Sequence, residues 1–368
     1  MKIFITGGHV TPAIAVIEEI QKRLSNLDIV FIGRKYAMEG DTEVSAEYKL
    51  ISNLGIRFLP LTTGRLQRSF TLTTIPSLLK IPFGLVQALW YVLKEKPAII
   101  VSFGGYIALP VVIAGWILGI PSLTHEQTQT VGGANFWIAK VAKKVCVSYA
   151  DMIDIFPKGK AVFTGLPIRK ELFASSVKPL FTLSSKYPLV YIAGGATGSE
   201  FINQCVFSIL PQLLTQYMVI HQTGYSSYST ALEKFASLSK DEQSHYHVFP
   251  YIKIDELAWV YRAAKLYVGR SGGNTVGELA ALSKVALFIP LPSSAQKEQE
   301  KNAQWLVNAG SAAILHQEDI TQPSRLLEKI GEVLAYYEHY HKKAQEFSKE
   351  IPLDGASRIA DEIKKLLP

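Results

Sequence analysis

Short runs of apolar and β-branched residues alternate with helical patterns along the whole chain, and this alternation limits the fold more than any other feature. The runs begin with "KIFI" at residue 2 and end with "AAIL" at residue 312. Strands buried on both faces read as continuous apolar runs, and the helices between them supply the crossovers of a parallel sheet. The sequence therefore predicts an α/β fold with helices covering both faces of parallel sheets.

The predicted strands form two sets of six, which indicates two domains. The first set is "KIFI", "DIVFIG", "AIIVSF", "PSLT", "KVCVSY" and "AVFTG", and the second is "LVYIAGG", "MVIHQTG", "YHVFPY", "LYVGR", "VALFIP" and "AAIL". Residues 165–188 between them are rich in proline and serine. At 368 residues the chain exceeds what one core usually supports. We predict two Rossmann-like domains, 1–164 plus a C-terminal helix 353–368, and 165–352.

Composition excludes several classes of protein. The two cysteines, Cys146 and Cys205, give neither a disulfide framework nor a metal-ligand spacing. The N-terminus "MKIFITGG" lacks the apolar core and cleavage site of a signal peptide, which favours a cytoplasmic location. No Asp-x-Asp pair occurs to hold a divalent cation. We expect no cofactor and no metal, with phosphates neutralised by helix N-termini and basic side chains.

The positive charge is concentrated in the first half of the chain. Residues 57–160 contain eleven Lys and Arg against four acids, an excess of seven that equals the net charge of the whole protein. Nucleic acid is one partner that such a bias suits, but no nucleic-acid-binding motif accompanies it, and we expect none. An anionic membrane surface or an anionic lipid substrate is the competing interpretation.

Residues 70–93, "FTLTTIPSLLKIPFGLVQALWYVL", form the most apolar segment. A span of about 20 residues is long enough to cross a bilayer. Pro76, Lys80, Pro82 and Gly84 argue against that. Two interpretations remain: a mostly buried helix that begins near Pro82, or an interfacial patch flanked by basic residues. Those basic residues are Arg65, Arg68, Lys80 and Lys94.

Glycine pairs recur where predicted strands end. They are Gly7 and Gly8, Gly104 and Gly105, Gly194 and Gly195, and Gly272 and Gly273. A glycine turn between a strand and a helix lets the backbone approach a phosphate while the helix N-terminus supplies free N–H groups. Ligands of parallel sheets bind beyond the carboxyl ends of the strands, so a cleft between two such sheets is the expected site.

His9 follows the first glycine pair at the start of a predicted helix. A histidine there is a candidate general base for a sugar hydroxyl. The alternative is that His9 caps the helix or bonds a loop carbonyl. Thr6 beside it is either a ligand contact or a turn hydroxyl.

Residues 268–282, "VGRSGGNTVGELAAL", hold the densest polar group. Thr275 and Glu278 have the spacing of a capping box, which is the structural interpretation. In the functional one, Asn274, Thr275 and Glu278 face the ligand and the carboxylate accepts the ribose hydroxyls of a nucleotide. Arg270 serves either a phosphate or an ion pair. The following "PSSAQKEQEKNA" places amides, among them Gln299, at another helix start.

Taken together, "TGGHVTPAIAV", "SFGGYIALP", "LTHEQTQTVGGAN", "GLPIRKELF", "AGGATGS" and "GRSGGNTVGELAAL" resemble, in order and spacing, the MurG family of bacterial glycosyltransferases. The resemblance covers essentially the whole chain. It implies a GT-B fold of two Rossmann-like domains. It also implies transfer of N-acetylglucosamine from UDP-N-acetylglucosamine to undecaprenyl-pyrophosphoryl-MurNAc-pentapeptide in peptidoglycan biosynthesis. The acceptor lipid would bind the first domain and the donor mainly the second.

The same resemblance implies roles for particular residues, with His9 as the catalytic base. The donor-binding set is Thr6, Gly7, Gly8, Thr128, Arg169, Ala196, Ile252, Gly273, Asn274, Thr275, Val276, Gly277, Glu278 and Gln299. Within it Ile252 would contact the uracil, Glu278 the ribose, and Gln299 with Glu298 and Asn302 the sugar. Residues implied on the acceptor side are Gly104, Gly105, Tyr106, Glu126 and Gln127.

Four positions depart from the family pattern. Phe4 and Ile5 replace the first two glycines of GGTGGH, which predicts a stiffer first loop. Thr128 replaces the asparagine after HEQ. Ala196 replaces a serine of the third glycine loop, where Thr197 or Ser199 could substitute for the lost hydroxyl.

We therefore predict an inverting, metal-independent N-acetylglucosaminyltransferase, peripheral on the cytoplasmic face of the cell membrane. Its partners would be UDP-N-acetylglucosamine, a polyprenyl-pyrophosphate-linked sugar acceptor and an anionic membrane surface. The alternatives are a UDP-N-acetylglucosamine 2-epimerase, a transferase for a related glycolipid, and a relative that binds the nucleotide sugar without catalysis.

Overall fold

The computed structural model describes residues 1–24, 26–36, 44–64, 74–174 and 177–368. The strands are β1 (Lys2–Thr6), β2 (Asp28–Gly33), β3 (Arg57–Pro60), β4 (Ile99–Ser102), β5 (Ser122–Glu126), β6 (Lys144–Val147), β7 (Ala161–Phe163), β8 (Leu189–Ala193), β9 (Met218–Gln222), β10 (Tyr246–Phe249), β11 (Leu266–Gly269), β12 (Val285–Phe288) and β13 (Ala312–Ile314).

Helices connect nearly every pair of consecutive strands. They are α1 (Val10–Arg23), α2 (Ala46–Asn53), α3 (Thr74–Glu95), α4 (Ala108–Ile117), α5 (Gly133–Val141), α6 (Glu200–Leu214), α7 (Tyr228–Ala236), α8 (Lys240–His245), α9 (Ile254–Ala263), α10 (Gly273–Ala281), α11 (Glu298–Asn308), α12 (Ser324–Ala335), α13 (Tyr337–Ser348) and α14 (Gly355–Leu366). Short 3-10 helices lie at Ala150–Ile155, Lys170–Phe173, Ala295–Lys297 and Gln317–Asp319.

The first compact unit contains Met1–Arg169 and Pro352–Pro368. Its seven parallel strands have the order β3-β2-β1-β4-β5-β6-β7. The order runs outward in both directions from β1 and β4, so the loops that follow these two strands diverge toward opposite faces. That is where an open parallel sheet forms its ligand crevice.

Two cores cover the two faces of this sheet, as the alternation of side chains along β1 requires. Ile3 and Ile5 pack with residues of α1 and α14. Phe4 packs on the other face with residues of α3, α4 and α5. Phe4 and Ile5 are fully buried strand residues, so the first loop proper starts only at Gly7, after the end of β1 at Thr6.

The second compact unit contains Lys170–Ile351. Its six parallel strands have the order β10-β9-β8-β11-β12-β13, with the reversal between β8 and β11. A continuous apolar core joins the strands to α6 and α12. Each unit thus has the α/β architecture predicted from the apolar runs.

The sequence prediction missed one strand, β3. It begins with Arg57, ends with Pro60, and pairs with β2 alone at the edge of the sheet. Edge strands tolerate charge and proline because one side of the backbone needs no partner. Because β3 contains a charged residue and a proline, a search for continuous apolar runs does not detect it.

The interpretation of α3 as a mostly buried helix starting near Pro82 is wrong. The helix starts at Thr74 and contains Pro82 in its interior. Apolar side chains that are more than half exposed recur on one face, namely Leu79, Phe83, Val86, Trp90 and Leu93, which we call the α3 stripe. Arg65 and Arg68 lie outside the described residues. Within the described ranges no helix is both long and apolar enough to span a bilayer.

Candidate active site

The first unit brings three of the sequence-predicted segments to one edge of its sheet. Thr6–His9 end β1 and begin its loop, Gly104–Tyr106 follow β4, and Glu126–Thr128 end β5 and begin its loop. Because β1, β4 and β5 are adjacent parallel strands, their carboxyl ends lie side by side. The candidate base and the predicted acceptor-side residues therefore belong to one cluster.

Glycine at position 7 is required by the approach of two loops. Gly7 has a φ of +145°, and a Cβ there would lie 2.7 Å from the backbone of Phe103. The gap between the loops is closed by hydrogen bonds from Gly8 N to Gly104 O at 2.9 Å and from Phe103 N to Thr6 O at 2.7 Å. These glycines thus have a packing role, and the loops they join hold His9 in place.

His9 stands immediately before α1, but its side chain makes no capping hydrogen bond, so the capping interpretation is wrong. The ring instead contacts the amide of Gln127, with 2.7 Å between His9 Nδ1 and Gln127 Nε2. Desolvation by the surrounding loops lowers the pKa of His9 to about 4. The imidazole is therefore neutral near pH 7, which is the protonation state that a general base requires.

Glu126 organises the loop that follows β5. Its carboxylate accepts hydrogen bonds from Asn135 Nδ2 at 2.8 Å, Thr128 Oγ1 at 3.0 Å, Gly132 N at 3.1 Å and Thr128 N at 3.3 Å. Burial raises the pKa of Glu126, and these hydrogen bonds oppose that rise. The carboxylate is thus directed at its own loop, as is the Thr128 hydroxyl, which also lies 2.8 Å from Thr130 O.

His125 is a buried neighbour that sequence reasoning did not single out. Its Nε2 lies 3.0 Å from Ser148 Oγ, and burial lowers its pKa to about 3. His125 and Glu126 are consecutive strand residues and point to opposite sides of the sheet. The available signal was the "HEQ" motif, in which strand alternation places His125 and Glu126 on opposite faces of the sheet.

Of the remaining predicted residues of the first unit, Tyr106 lies at the same sheet edge as this cluster and Arg169 lies apart from it. Tyr106 is half-buried, with the Arg34 guanidinium 5.9 Å from its ring centroid. Arg169 is half-buried and follows β7, at the far end of the strand order from β1.

The second unit collects its predicted residues at the corresponding edge of its own sheet. They follow four different strands: Ala196 after β8, Ile252 after β10, Gly273–Glu278 after β11 and Gln299 after β12. Ala196 is exposed and Ile252 is buried. The loops pack closely, since a Cβ on Gly198 would lie 2.0 Å from Thr223 O.

The capping box proposed for Thr275 and Glu278 is not formed. The N-cap of α10 is Gly272, which makes Thr275 the third helical residue. Glu278 is 4% exposed and accepts a hydrogen bond from Tyr261 Oη at 3.4 Å. Its carboxylate is therefore held on the inner side of α10 rather than at the helix end.

Arg270 is a buried cation that ties three loops together. Its guanidinium donates to the carbonyl oxygens of Ile289 and Pro290 at 2.9 and 3.1 Å. It also donates to Ser199 Oγ at 2.9 Å and Gln317 Oε1 at 2.8 Å. All four acceptors are neutral, and over the described residues Arg270 forms no ion pair. Its positive charge therefore remains uncompensated beside the glycine loops of β8 and β11.

Gln222 is a second connection that the sequence analysis missed. Its Nε2 donates to Gly195 O at 3.1 Å, and its Oε1 accepts from Tyr191 Oη at 3.0 Å and Ile252 N at 3.3 Å. The signal was a polar residue at the end of the strand "MVIHQ". Gln222 fixes the loops of Gly195 and Ile252 relative to each other.

The amides predicted to meet a sugar also have internal partners. Gln299 Oε1 accepts from Leu291 N at 3.0 Å, and Asn302 Nδ2 donates to Ser271 O at 3.2 Å. Ser199 Oγ is the N-cap of α6 as well as an acceptor for Arg270, so its lone pairs are engaged. Across the part of the chain that the structure describes, no group of three His, Cys, Asp or Glu residues is arranged to hold a metal ion.

Comparison with known proteins bears on both units. Residues 6–147 match the glycosyltransferase family 28 N-terminal domain and residues 189–360 its C-terminal domain. Curated relatives from Clostridium kluyveri and Clostridium botulinum are 32% and 33% identical, over 99% of both chains in each case. Both are named UDP-N-acetylglucosamine–N-acetylmuramyl-(pentapeptide) pyrophosphoryl-undecaprenol N-acetylglucosamine transferase. The chain belongs to the MurG family within glycosyltransferase family 28.

Solved structures share the fold of this MurG-family chain. A crystal structure of MurG from Acinetobacter baumannii superposes with a TM-score of 0.70 at 24% identity, covering 99% of both chains. A Staphylococcus aureus MnaA structure with UDP superposes with a TM-score of 0.69 at 10% identity, covering 99% of this chain and 96% of that one. At these identities the likeness concerns the fold alone, which is GT-B.

Proposed function

We propose that this protein transfers N-acetylglucosamine from UDP-N-acetylglucosamine to the C4 hydroxyl of undecaprenyl-pyrophosphoryl-MurNAc-pentapeptide, converting lipid I to lipid II in peptidoglycan biosynthesis. Full-length identity of 32–33% to relatives named for this reaction supports the proposal. The observation that carries it is the neutral His9 imidazole, held between glycine loops at the carboxyl edge of the first sheet.

His9 acts as the general base in the proposed reaction. It takes the proton of the acceptor hydroxyl while the oxygen attacks C1 of the sugar and the bond from C1 to the UDP oxygen breaks. A single displacement inverts the configuration at C1 and leaves no sugar on the protein. Thr6, whose buried Oγ1 has no partner among the described residues, is available to a substrate oxygen beside the base.

The second unit would hold the donor. The N-terminus of α10, with Gly273 to Val276, would bind the diphosphate, and Glu278 the ribose. The uncompensated charge of Arg270 supports binding of the diphosphate and stabilises it as a leaving group without a metal ion. Ile252 would contact the uracil and Gln299 the sugar.

The first unit would lie on the cytoplasmic face of an anionic membrane. The α3 stripe is the main support, because its side chains are exposed on a helix that packs into the sheet by its other face. On α5, Phe136 and Trp137 are about half exposed, and Lys140 lies 4.6 and 4.4 Å from their ring centroids. Aromatic rings paired with lysines suit the boundary between acyl chains and anionic headgroups.

A transfer assay with purified protein and labelled UDP-N-acetylglucosamine tests the proposed reaction. We expect transfer of label to lipid I, which yields labelled lipid II, and no label in a glycerol-based glycolipid. Replacing His9 with alanine should lower kcat by about 10²–10⁴-fold, because a positioned base contributes that much. His339→Ala on the exposed surface of α13 is the matched control and should leave kcat unchanged.

The same assay separates the other candidate functions. Incubation with UDP-N-acetylglucosamine alone would yield UDP-N-acetylmannosamine if the protein were a 2-epimerase. Binding of the nucleotide sugar with no product in either arm would indicate a non-catalytic relative. Either result would refute the proposed transfer.

A further inference from the structure

The hydrogen-bond state of His9 depends on one neighbour. A neutral imidazole carries a single N–H, so its tautomer decides which nitrogen donates and which offers a lone pair. Gln127 is the one partner recorded for the His9 ring among the described residues, and it lies at Nδ1. The atom of the Gln127 amide that faces Nδ1 therefore determines whether the other ring nitrogen, His9 Nε2, can act as a base.

Gln127 holds its amide in a fixed position beside His9 Nδ1. It is 4% exposed and lies between Glu126 and Thr128, whose side chains are joined by a hydrogen bond. The carboxylate of the neighbouring Glu126 accepts hydrogen bonds from its own loop. The group that contacts the His9 ring is the neutral amide of Gln127. The position of the amide is therefore fixed by the loop, and only the identity of the atom facing Nδ1 remains to be decided.

The two ends of a glutamine amide exchange by a half-turn about the Cγ–Cδ bond. With Nε2 facing the ring, the amide donates to Nδ1, the ring proton sits on the imidazole Nε2, and Gln127 Oε1 is buried with no partner among the described residues. In that state neither ring nitrogen has a free lone pair. With Oε1 facing the ring, Nδ1–H donates to the carbonyl and the imidazole Nε2 is free to accept a proton.

Proton transfer itself distinguishes the two orientations. Once His9 takes a proton, both ring nitrogens carry hydrogen and both need acceptors. An amide NH₂ at Nδ1 would then place two donors against each other with no acceptor between them. A carbonyl oxygen instead keeps its hydrogen bond to Nδ1–H and stabilises the imidazolium cation. Only the carbonyl orientation serves the ring both before and after the reaction.

We propose that Gln127 is the positioning residue that selects the tautomer of His9. Its carbonyl oxygen accepts from Nδ1–H and leaves the imidazole Nε2 as the atom that takes the proton of the acceptor hydroxyl. This inference rests on the proposed function of His9 as the base.

Nitrogen-15 NMR of the full chain, labelled in its eight histidines, reports the tautomer directly. The signal of His9 is assigned by its loss in His9→Gln. In the unsubstituted protein we expect a protonated Nδ1 and an unprotonated Nε2. Gln127→Leu, which removes the acceptor, should populate the Nε2–H tautomer.

Kinetics supply a second readout. Gln127→Leu should lower kcat about tenfold, a part of what a positioned base contributes, with KM changed less than about twofold. Gln127→Glu presents oxygen at both ends, so it should restore the Nδ1–H tautomer and exceed Gln127→Leu in kcat. Gln129→Leu, the same change two residues further on, should alter neither readout.

A protonated Nε2 in the unsubstituted protein, or an unchanged His9 spectrum in Gln127→Leu, overturns the proposal even if the protein transfers N-acetylglucosamine. An Nδ1–H tautomer in a protein with no transfer activity refutes the proposed function instead. If Gln127→Leu does not fold, the spectra of the unsubstituted protein and of Gln127→Glu still decide between the tautomers.

Discussion

At the scale of single residues, the proposed base His9 is kept neutral by desolvation, and its ring contacts an amide rather than a carboxylate. Its pKa is lowered to about 4 from an ordinary 6.5, and its ring partner is an amide. His125, the other titratable group that interacts with it, also has a lowered pKa, about 3. The basic form of His9 is therefore present throughout the neutral range.

The acid limb of the pH profile should reflect this. Activity needs the unprotonated ring, so kcat/KM should hold from pH 7 down to about 5 and fall as pH drops through about 4. The measurement is the initial rate from pH 3.5 to 8, with activity re-measured at pH 7 after each incubation to exclude unfolding. A limb near pH 6.5 would show that His9 is not desolvated.

Arg270 contributes to stability through hydrogen bonds rather than an ion pair. Arg270→Met would remove the donor from two buried carbonyl oxygens and two half-buried side-chain oxygens, and we expect a loss of about 3 kcal/mol in the free energy of unfolding. Urea denaturation measures it. Arg325→Met is the control, because Arg325 is exposed and paired with exposed glutamates, and such surface ion pairs contribute little to stability. Equal losses in the two variants would contradict this account.

At the scale of secondary-structure elements, α3 has two different faces. Ala88, Tyr91 and Val92 pack into the core, and the α3 stripe faces outward. A surface helix normally exposes polar side chains, so an exposed apolar stripe marks an interaction surface.

Vesicle flotation tests the α3 stripe. The protein should float with vesicles that contain phosphatidylglycerol more than with phosphatidylcholine alone, because Lys94 and Lys140 accompany the exposed aromatic side chains. Phe83→Ser combined with Trp90→Ser should cut the bound fraction at least tenfold, since each inserted side chain contributes about 1.5–3 kcal/mol. Leu232→Ser, an exposed leucine of α7 in the second unit, is the control. Unchanged flotation of the double variant would remove α3 from the binding surface.

At the scale of the whole molecule, the chain returns to its first unit at the end. Ile359 and Ile363 of α14 are fully buried in the core that β1 and α1 share, and Arg23 of α1 donates to Ser357 and Asp361. The last helix therefore completes a core begun by the first strand, more than three hundred residues earlier.

Truncating a buried side chain of α14 should destabilise the first unit selectively. Ile359→Ala is expected to cost about 2–4 kcal/mol, as large-to-small changes in a packed core do. Hydrogen exchange at increasing urea should show earlier opening of β1 and α1 than in the unsubstituted protein, with β8 and α6 unchanged. Lys364→Ala on the exposed side of α14 is the control. Equal effects in both units would mean that they unfold as one.

The sequence alone determined the fold class and the two-unit plan, because continuous apolar runs separated by helical patterns are compatible with little besides parallel sheets. It also indicated the glycine turns and the "HEQ" and "GRSGGNTVGEL" segments, since these are local patterns. It did not reveal the edge strand β3, whose charge and proline resemble a loop, or the true start of α3.

The contacts at the candidate site were decided by tertiary structure. His9 and Gln127 are 118 residues apart and meet because β1, β4 and β5 are neighbours in the sheet. Strand order likewise brings Arg270 to Ser199 and Gln222 to Ile252. Hydrophobic periodicity determines which residues enter a sheet but carries no information on which strands pair. The partner of a polar side chain at a strand end therefore emerges only once the sheet has formed.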